Sequence, residues 1–413
     1  MLTGYKNLTC GLIGKTLGHS FSPVIHGKMA DYAYNLYPME EEAVLPFLQS
    51  DAFSGLNVTI PYKQTVIPAL SAMSPAAKRI GAVNTIVRRD GGLYGDNTDY
   101  SGFLYMLRRT GVSVKGKKAL VFGSGGASKT AVAVLCDEGA TPVVVVSRLG
   151  EDNYGNLERH ADAAVLVNAT PVGMYPHNGD TLVSLNLFPH CEAVLDLIYN
   201  PAATRLIYDA KTKHIPCENG LSMLVAQAKA AAELFTDEKI PDAETEKILA
   251  QVRGEKENIL LLGMPGCGKS TIGRRLSERL GRPFFDTDAE VVKLAGKPIP
   301  EIFREDGEEV FRRFEHEAVK ICGAKTGAVI ATGGGVVTRP ENEYYLRQNG
   351  KTVFLARDIA TLSRDGRPLS ENGDLMLMYR NRLPLYRRFS DLEVPVGGDP
   401  DTTASRIEEA WKK

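Results

Sequence analysis

Gly263-Met264-Pro265-Gly266-Cys267-Gly268-Lys269-Ser270 stands between an apolar run, NILLL at 258–262, and a segment of helical patterning, KSTIGRRLSERLG. The octet fits G-x-x-x-x-G-K-[ST], and strand, glycine turn and helix in that order is the setting in which the pattern carries meaning. Its glycines let backbone N–H groups turn toward phosphate oxygens, and the positive end of the helix dipole adds to that field. Lys269 reaches the outer phosphates, Ser270 suits a magnesium ion, and Gly263, Pro265, Gly266, Cys267, Gly268 and Thr271 are the further candidates to contact the nucleotide. Cys267 reads as a small filler of the loop rather than a nucleophile. A chance glycine turn is the bland alternative, and both flanks argue against it.

The organisation of the chain follows outward from this motif. At 413 residues it exceeds the 250–300 at which single hydrophobic cores usually stop growing, so at least two domains are expected. Before the octet, runs such as NLTCGLIG, GLNVTIP, KKALVFG and TPVVVVSR alternate with helical segments. After it, AVIATGGG and KTVFLA do the same, and this alternation predicts an α/β fold with parallel sheets. A charged stretch over 234–257 reads as a surface helix leading to a linker at 241–257, with a P-loop NTPase-type domain over 258–413. A softer division near Lys115 to Lys117 separates a first lobe, 1–115, from a Rossmann-like lobe, 116–215. The segment 216–240 contains GLSMLVAQAKAAAELF and is expected to pack back on the first lobe.

With 43% hydrophobic and 24% charged residues and a net charge of −1, the composition is that of a soluble globular protein with no global attraction for nucleic acid. Small-molecule partners are the expectation, and the oligomeric state stays open. MLTGYKNLTCGLIG shows no basic stretch followed by a long apolar run, so a cytoplasmic protein without a membrane span is expected. Six scattered cysteines and seven histidines show neither disulfide nor zinc spacing.

Around the P-loop, Phe285-Asp286-Thr287-Asp288 ends a short strand with two carboxylates, one suited to magnesium and one to a hydroxyl group. Arg312 and Glu315, at i and i+3, share a helix face. Gly333-Gly334-Gly335 follow a strand where a ligand could approach the backbone. Gly366-Arg367-Pro368-Leu369 and Arg382-Leu383-Pro384-Leu385-Tyr386 add separated arginines, whose forks suit carboxylate or phosphate.

In the other half, Gly123-Ser124-Gly125-Gly126-Ala127-Ser128 joins the strand KKALVFG to a helix, the arrangement that binds a dinucleotide pyrophosphate, although packing glycines give the same look. The next strand ends in Ser147-Arg148, where an arginine favours a 2'-phosphate and hence NADP over NAD. Ser20-Phe21-Ser22-Pro23 offers two hydroxyls for a carboxylate or for helix capping. Asn57-Val58-Thr59-Ile60-Pro61-Tyr62-Lys63 ends a strand with a lysine. Gly81-Ala82-Val83-Asn84-Thr85 and Gly95-Asp96-Asn97-Thr98-Asp99 set small polar residues around turns. Ketone reduction needs a hydride and a positioned acid, for which Lys63 with Asp99 is the candidate pair.

Two resemblances follow from these motifs. SFSP, NVTIPYK, GAVNT, GDNTD, GSGGAS, NATPVGM and ENGLSMLVAQA resemble shikimate dehydrogenase across roughly residues 5–235. The resemblance implies substrate binding by Ser20, Ser22, Asn57, Thr59, Asn84, Tyr199 and Gln227, with Lys63 and Asp99 catalytic. It also implies a cofactor side lined by Thr170, Gly220 and Met223. Residues 258–413 resemble shikimate kinase. That implies Asp288, Lys269 and Arg367 in catalysis, Arg312, Arg382 and Gly333 to Gly335 on the substrate, Arg364 with the nucleotide, and Ser270 with Asp286 on magnesium. Under both, the chain reduces 3-dehydroshikimate to shikimate with NADPH and phosphorylates the product with MgATP. A quinate dehydrogenase using NAD, or a non-catalytic module fused to the kinase, stays open.

Two departures stand out. Arg364 and Arg367 are separated by Asp365 and Gly366 alone, a shorter lid than the family usually carries. Between Arg148 and AAVLVNATP lies GEDNYGNLERHAD, too short for the usual helix-plus-strand crossover, which predicts a cofactor lobe that has lost one such unit.

Overall fold

The computed structural model describes residues 1–18, 20–362 and 374–412. Arg364 and Arg367 lie outside the described residues. The chain folds as two compact units, the first Met1–Tyr199 with Thr204–Val252, the second Asn200–Ala203 with Arg253–Lys413.

The first unit contains two sheets. One holds β1 (Thr9–Gly14), β2 (Ala33–Pro38), β3 (Gly55–Val58), β4 (Ala72–Met73), β5 (Thr85–Arg89) and β6 (Gly92–Asp96) in the order β2-β1-β3-β5-β6-β4. Strands β2, β1 and β3 run parallel, and β5 pairs antiparallel with both β3 and β6. The other is an all-parallel sheet of β7 (Ala119–Phe122), β8 (Val143–Val146), β9 (Val165–Asn168), β10 (Ala193–Asp196) and β11 (Cys217–Asn219), ordered β11-β10-β9-β7-β8. Every residue of β7, β9 and β10 is buried, as expected of parallel strands covered on both faces.

The shortening read from GEDNYGNLERHAD has a plain structural form. The path from β8 to β9 carries a single 3₁₀ turn, Leu157–His160, and β8 forms the edge of its sheet. Val145 on that edge strand is 38% exposed and Leu149 just beyond it fully so, apolar surface that a covering helix would have buried. His160 and Asp152 tie the short connection down, Nε2 to Oδ1 at 2.7 Å, and the Tyr154 ring lies 6.2 Å from that of Phe122.

The helix Gly220–Thr236 does return to the first lobe, packing along Thr98–Arg109 and against Ser22–Met29. Gly55 is small because Phe235 sits over it; a Cβ there would lie 2.3 Å from the ring. The segment expected as a linker is instead a helix, Asp242–Lys256. Its charge misled, because Ile248, Leu249 and Val252 form one stripe and sink into a core with Cys10, Ile25, Met29 and Val225.

The second unit is built on a parallel sheet of β12 (Asn258–Leu262), β13 (Phe284–Asp286), β14 (Val329–Ala331), β15 (Gly350–Ala356) and β16 (Leu392–Pro395), ordered β13-β14-β12-β15-β16. Its central strand β12 is buried throughout and delivers the chain into the P-loop, after which the helix Lys269–Leu280 begins.

Leu249, 1% exposed, tests the role of the helix Asp242–Lys256. Leu249→Ala is expected to destabilise the first unit by about 3 kcal/mol, the usual cost of such a cavity, while the phosphoryl-transfer rate of the second unit stays as in wild type. Denaturant unfolding read alongside activity measures both.

Candidate functional sites

In the first unit the strand ends converge on a cavity of about 460 Å³. Lys63 and Asp99 face each other in it, Nζ to Oδ2 at 2.5 Å, with 28% and 16% of their side chains exposed. Lys63 comes from the turn after β3 and Asp99 from the first turn of the helix Thr98–Arg109, so residues 36 positions apart are joined by the sheet. Ser20, Asn57, Thr59, Asn84 and Gln227 line the same space. Ala127, Tyr199, Gly220 and Met223 close its other side.

Ser22, Thr170, Ser147 and Arg148 are not part of this lining among the described residues. Ser22 is buried, its N–H donates to the Ser20 hydroxyl at 3.2 Å, and its side chain bonds with that of Tyr34. Asn57 is held on all sides. Its Oδ1 accepts from the Tyr34 hydroxyl at 2.7 Å, and its Nδ2 donates to Thr85 Oγ1 at 3.1 Å. Behind Tyr34 stacks His26, ring centroids 4.1 Å apart, whose pKa burial pushes down to about 3 so that a neutral ring packs there. Asn84 Oδ1 accepts from the Thr98 N–H at 2.7 Å, which ties the GAVNT turn to the start of the helix bearing Asp99.

The glycine-rich turn Gly123 to Ser128 opens the helix Gly126–Asp137, which has no acidic residue in its first turn. Gly123 has φ +109°, and a Cβ on it would lie 2.8 Å from the Ala169 carbonyl oxygen, so side chains are excluded by the neighbouring loop. Around Gly125 and Gly126 the space is open. Backbone N–H groups at a helix start, open space and no opposing charge fit a pyrophosphate. Ser128 is buried, so it packs beneath the turn rather than at its open face. Arg148 follows β8 and is exposed, in keeping with a contact to a phosphate at the ligand's edge.

Sequence reasoning overlooked Asp196. It ends β10 fully buried, accepting from Asn168 Nδ2 and the Ile198 N–H, both at 3.0 Å, and from the Thr204 hydroxyl at 2.5 Å. Burial raises its pKa from 3.8 to about 6 against those hydrogen bonds.

The second unit has its own cavity, about 230 Å³, between the P-loop and the elements after β13 and β14. Gly263, Gly266 and Gly268 have φ values of +149°, +78° and +100°, a run of conformations that glycine alone adopts readily. Lys269 Nζ donates to the carbonyls of Gly263 and Met264, both at 2.9 Å, and so curls across the loop where phosphate oxygens would compete for it. Cys267 is fully buried with Sγ 3.9 Å from Lys269 Nζ, which suits a filler. The Ser270 hydroxyl donates to Asp286 Oδ2 at 2.6 Å. These two hard oxygen donors beside the phosphate cradle fit a magnesium ion that keeps several waters.

Asp288, Arg312, Gly333 to Gly335 and Arg382 all line this cavity. Their packing explains the three glycines one by one. A Cβ on Gly333 would lie 2.7 Å from Asp288 Oδ1 and from Glu315 Oε1, one on Gly334 2.6 Å from Pro265, and one on Gly335 1.8 Å from Arg312 Nη1. Arg382 Nη1 and the Tyr386 hydroxyl both donate to the Gly334 carbonyl, at 3.1 and 2.5 Å. Arg312 is held by Glu315 at 2.7 Å and Glu308 at 2.9 Å. Glu315 is itself 1% exposed, and its Oε1 has no hydrogen-bond partner among the described residues. Burial raises its pKa and the Arg312 charge opposes the rise.

Comparison with known proteins bears on both units. Residues 12–86 match the family model for the shikimate dehydrogenase substrate binding domain, and residues 265–412 that for shikimate kinase. A shikimate dehydrogenase (NADP(+)) of Clostridium perfringens strain SM101 is 38% identical over 264 residues, covering 59% of this chain and 97% of the relative. The chain belongs to the shikimate dehydrogenase family. It also carries a shikimate kinase domain. The shikimate dehydrogenase (NADP(+)) of Moorella thermoacetica is 33% identical over 291 residues, covering 62% of this chain and 96% of the relative. Among solved structures, a chorismate mutase/shikimate 5-dehydrogenase fusion protein from Clostridium acetobutylicum aligns with TM-score 0.57 and 34% identity over 59% of this chain and 97% of its own. A shikimate 5-dehydrogenase from Thermus thermophilus in complex with NADP(H) and shikimate aligns with TM-score 0.54 and 33% identity over 59% and 99%.

Two outcomes test this geometry. Gly335→Ala must displace the Arg312 guanidinium, and kinase kcat/KM for shikimate is expected to fall about 100-fold, or close to 3 kcal/mol of transition-state stabilisation, with dehydrogenase turnover unchanged. Asp196 gives a pH signature. Its folded pKa lies above the unfolded 3.8, so ionising it costs stability as pH rises and the cost is complete above about 6. The stability of Asp196→Asn relative to wild type should therefore grow by about 2 kcal/mol between pH 4 and 7, measurable by unfolding of both proteins across that range.

Proposed function

We propose that the first unit reduces 3-dehydroshikimate to shikimate with NADPH and that the second phosphorylates the hydroxyl just formed with MgATP. The protein is a bifunctional enzyme of the shikimate pathway. What carries the residue-level reading is the contact of Lys63 with Asp99 inside a cleft that also takes in Ala127, Gly220 and Met223 from the glycine-rich side.

In the first unit, Ser20, Asn84 and Gln227 bind the substrate's carboxylate and hydroxyls, and Asp99 orients Lys63 at the ketone oxygen. Bound NADPH supplies the hydride to the carbonyl carbon, and Lys63 supplies the proton to the oxygen, which balances the reduction to an alcohol. Arg148 favours a 2'-phosphate, which supports NADPH rather than NADH. The quinate reading has a relative of its own, a quinate dehydrogenase from Corynebacterium glutamicum in complex with NAD at 27% identity and TM-score 0.53. Arg148 is the observation that favours NADPH over it.

In the second unit, Arg312 and Arg382 hold the substrate carboxylate, with Gly333 to Gly335 letting its ring lie against backbone. Asp288 accepts the proton of the attacking hydroxyl. Lys269 and the P-loop N–H groups carry the charge of the transferring phosphoryl group, which MgATP supplies, with Ser270 and Asp286 on the metal. Arg367 as the lid arginine and Arg364 on the nucleotide complete the reading. All six cysteines are free, and no helix of the described residues is long and apolar enough to cross a membrane. Free thiols fit a reducing cytoplasm.

Purified protein supplied with 3-dehydroshikimate, NADPH and MgATP is expected to consume NADPH and form shikimate 3-phosphate. Lys63→Ala should form neither product and Asp288→Ala should accumulate shikimate, followed by absorbance and product mass. Wild-type protein that consumed no NADPH would leave a kinase fused to a module without this activity, and NADH used in preference would favour the quinate reading.

A further inference from the structure

A fully buried carboxylate of the first unit lies outside its cavity. Asp196 is the last residue of β10, and its two oxygens gather donors from three separate segments: Asn168 at the end of β9, Ile198 in the following loop, and Thr204 at the start of the helix Arg205–Thr212. An ionised carboxylate accepts only, so it meets all three donors at once, which a neutral amide cannot do. The donors belong to the loops after β9 and β10, and the second of these loops reaches the cleft through Leu197 and Tyr199.

Take Asn168 first. With its Nδ2 committed to Asp196 and to the Val172 carbonyl at 3.2 Å, its Oδ1 is left to accept from the Thr170 N–H at 2.9 Å and the Thr170 hydroxyl at 2.7 Å. Were the amide reversed, its oxygen would face the Asp196 oxygen and its nitrogen the Thr170 N–H. The carboxylate therefore fixes the sense of the amide and with it the turn through Thr170. Ile198 carries the second arm. Drawing its N–H back to Asp196 bends the chain so that the Leu197 carbonyl seats against Gly220, where a Cβ would lie 2.1 Å from that oxygen, and the Gly220 N–H donates to the Ile198 carbonyl at 3.0 Å. Leu197, Tyr199 and Gly220 then line the cleft. The third arm, Thr204, anchors Oδ2 while its own Oγ1 caps the helix by accepting from the Ile207 N–H at 3.3 Å.

We infer that Asp196 is a positioning residue for the cofactor: its carboxylate locks the loops after β9 and β10 into the one arrangement that forms the nicotinamide side of the dehydrogenase cleft. Burial of an ionisable group is costly unless its oxygens are hydrogen-bonded, and here the bonding spans both loops. The inference rests on the first unit binding NADPH.

The test is a direct binding titration of the full-length protein by NADPH fluorescence, with shikimate binding as the control for the other lobe. Wild type is measured first; absence of NADPH binding would remove the dehydrogenase reading itself, before any variant is compared. Asp196→Asn keeps the shape but turns one acceptor into a donor: facing Thr204, its N–H leaves the Thr204 hydroxyl proton without an acceptor, and turned over it opposes the Asn168 amide and the Ile198 N–H. It is expected to raise the Kd for NADPH about tenfold while shikimate binding without cofactor shifts less than twofold and the thermal midpoint at pH 7.5 does not fall. Thr204→Val, which removes one donor and leaves the carboxylate, should raise the NADPH Kd by a smaller factor of about three. The two effects combined in one protein should be less than multiplicative. A folded Asp196→Asn protein that binds NADPH within twofold of wild type would overturn the inference. Should that variant fail to fold, Thr204→Val decides, and an unchanged Kd there has the same force.

Discussion

Parallel strands buried on both faces impose the constraint from which both units follow. A strand such as ALVF at 119–122 or NILLL at 258–262 pairs in one direction only, so every chain that leaves it must cross over and return, and all the departing loops gather at one edge. Helices that start at that edge present unpaired N–H groups to it. A site for a phosphate-bearing ligand therefore exists at each such edge before any particular side chain is specified. Glycine decides whether the ligand can use it. Gly125 and Gly126 leave open space in the first unit, and Gly266 and Gly268 turn the backbone in the second.

The candidate site groups are then brought in from elements the parallel strands leave free. Lys63 and Asp99 stand on opposite sides of the antiparallel pairing of β3 with β5 and β6, and the bond from Thr98 N–H to Asn84 makes that pairing fix the distance between them. In the kinase unit the same task falls to close packing. Arg312 lies where a side chain on Gly335 would be, and Asp288 where one on Gly333 would be, so the lining of the cavity is set by steric exclusion as much as by hydrogen bonding.

What could be read in the chain beforehand has the same physical origin. Glycine turns, strand-end lysines and short polar runs are visible because they depend on local backbone geometry, and these led to the α/β fold, the cleft and the P-loop. The helix Asp242–Lys256 was misread because charge on its exposed face hides the single stripe formed by Ile248, Leu249 and Val252. Residues that act through a distant side chain left no mark. Tyr34 holds Asn57 and Asp196 holds Asn168, each across a long sequence separation with nothing local to distinguish it, whereas Glu315 with Arg312 showed in its i, i+3 spacing.

The shortened cofactor lobe shows how far such a sheet can be reduced before its site changes. Strand β8 still pairs with β7 along its whole length and still delivers Arg148 to the edge where the loops gather. Beyond it no further strand pairs among the described residues, and Val145 and Leu149 are exposed. A compact loop follows, held by His160 on Asp152 and by Tyr154 against Phe122. Because β7, β9 and β10 remain wholly buried, the turn at Gly123 and the loops tied to Asp196 keep their support from the opposite side of the sheet. The shortening therefore falls at the sheet edge that carries Arg148, while the strands that carry Gly123 and Asp196 stay buried.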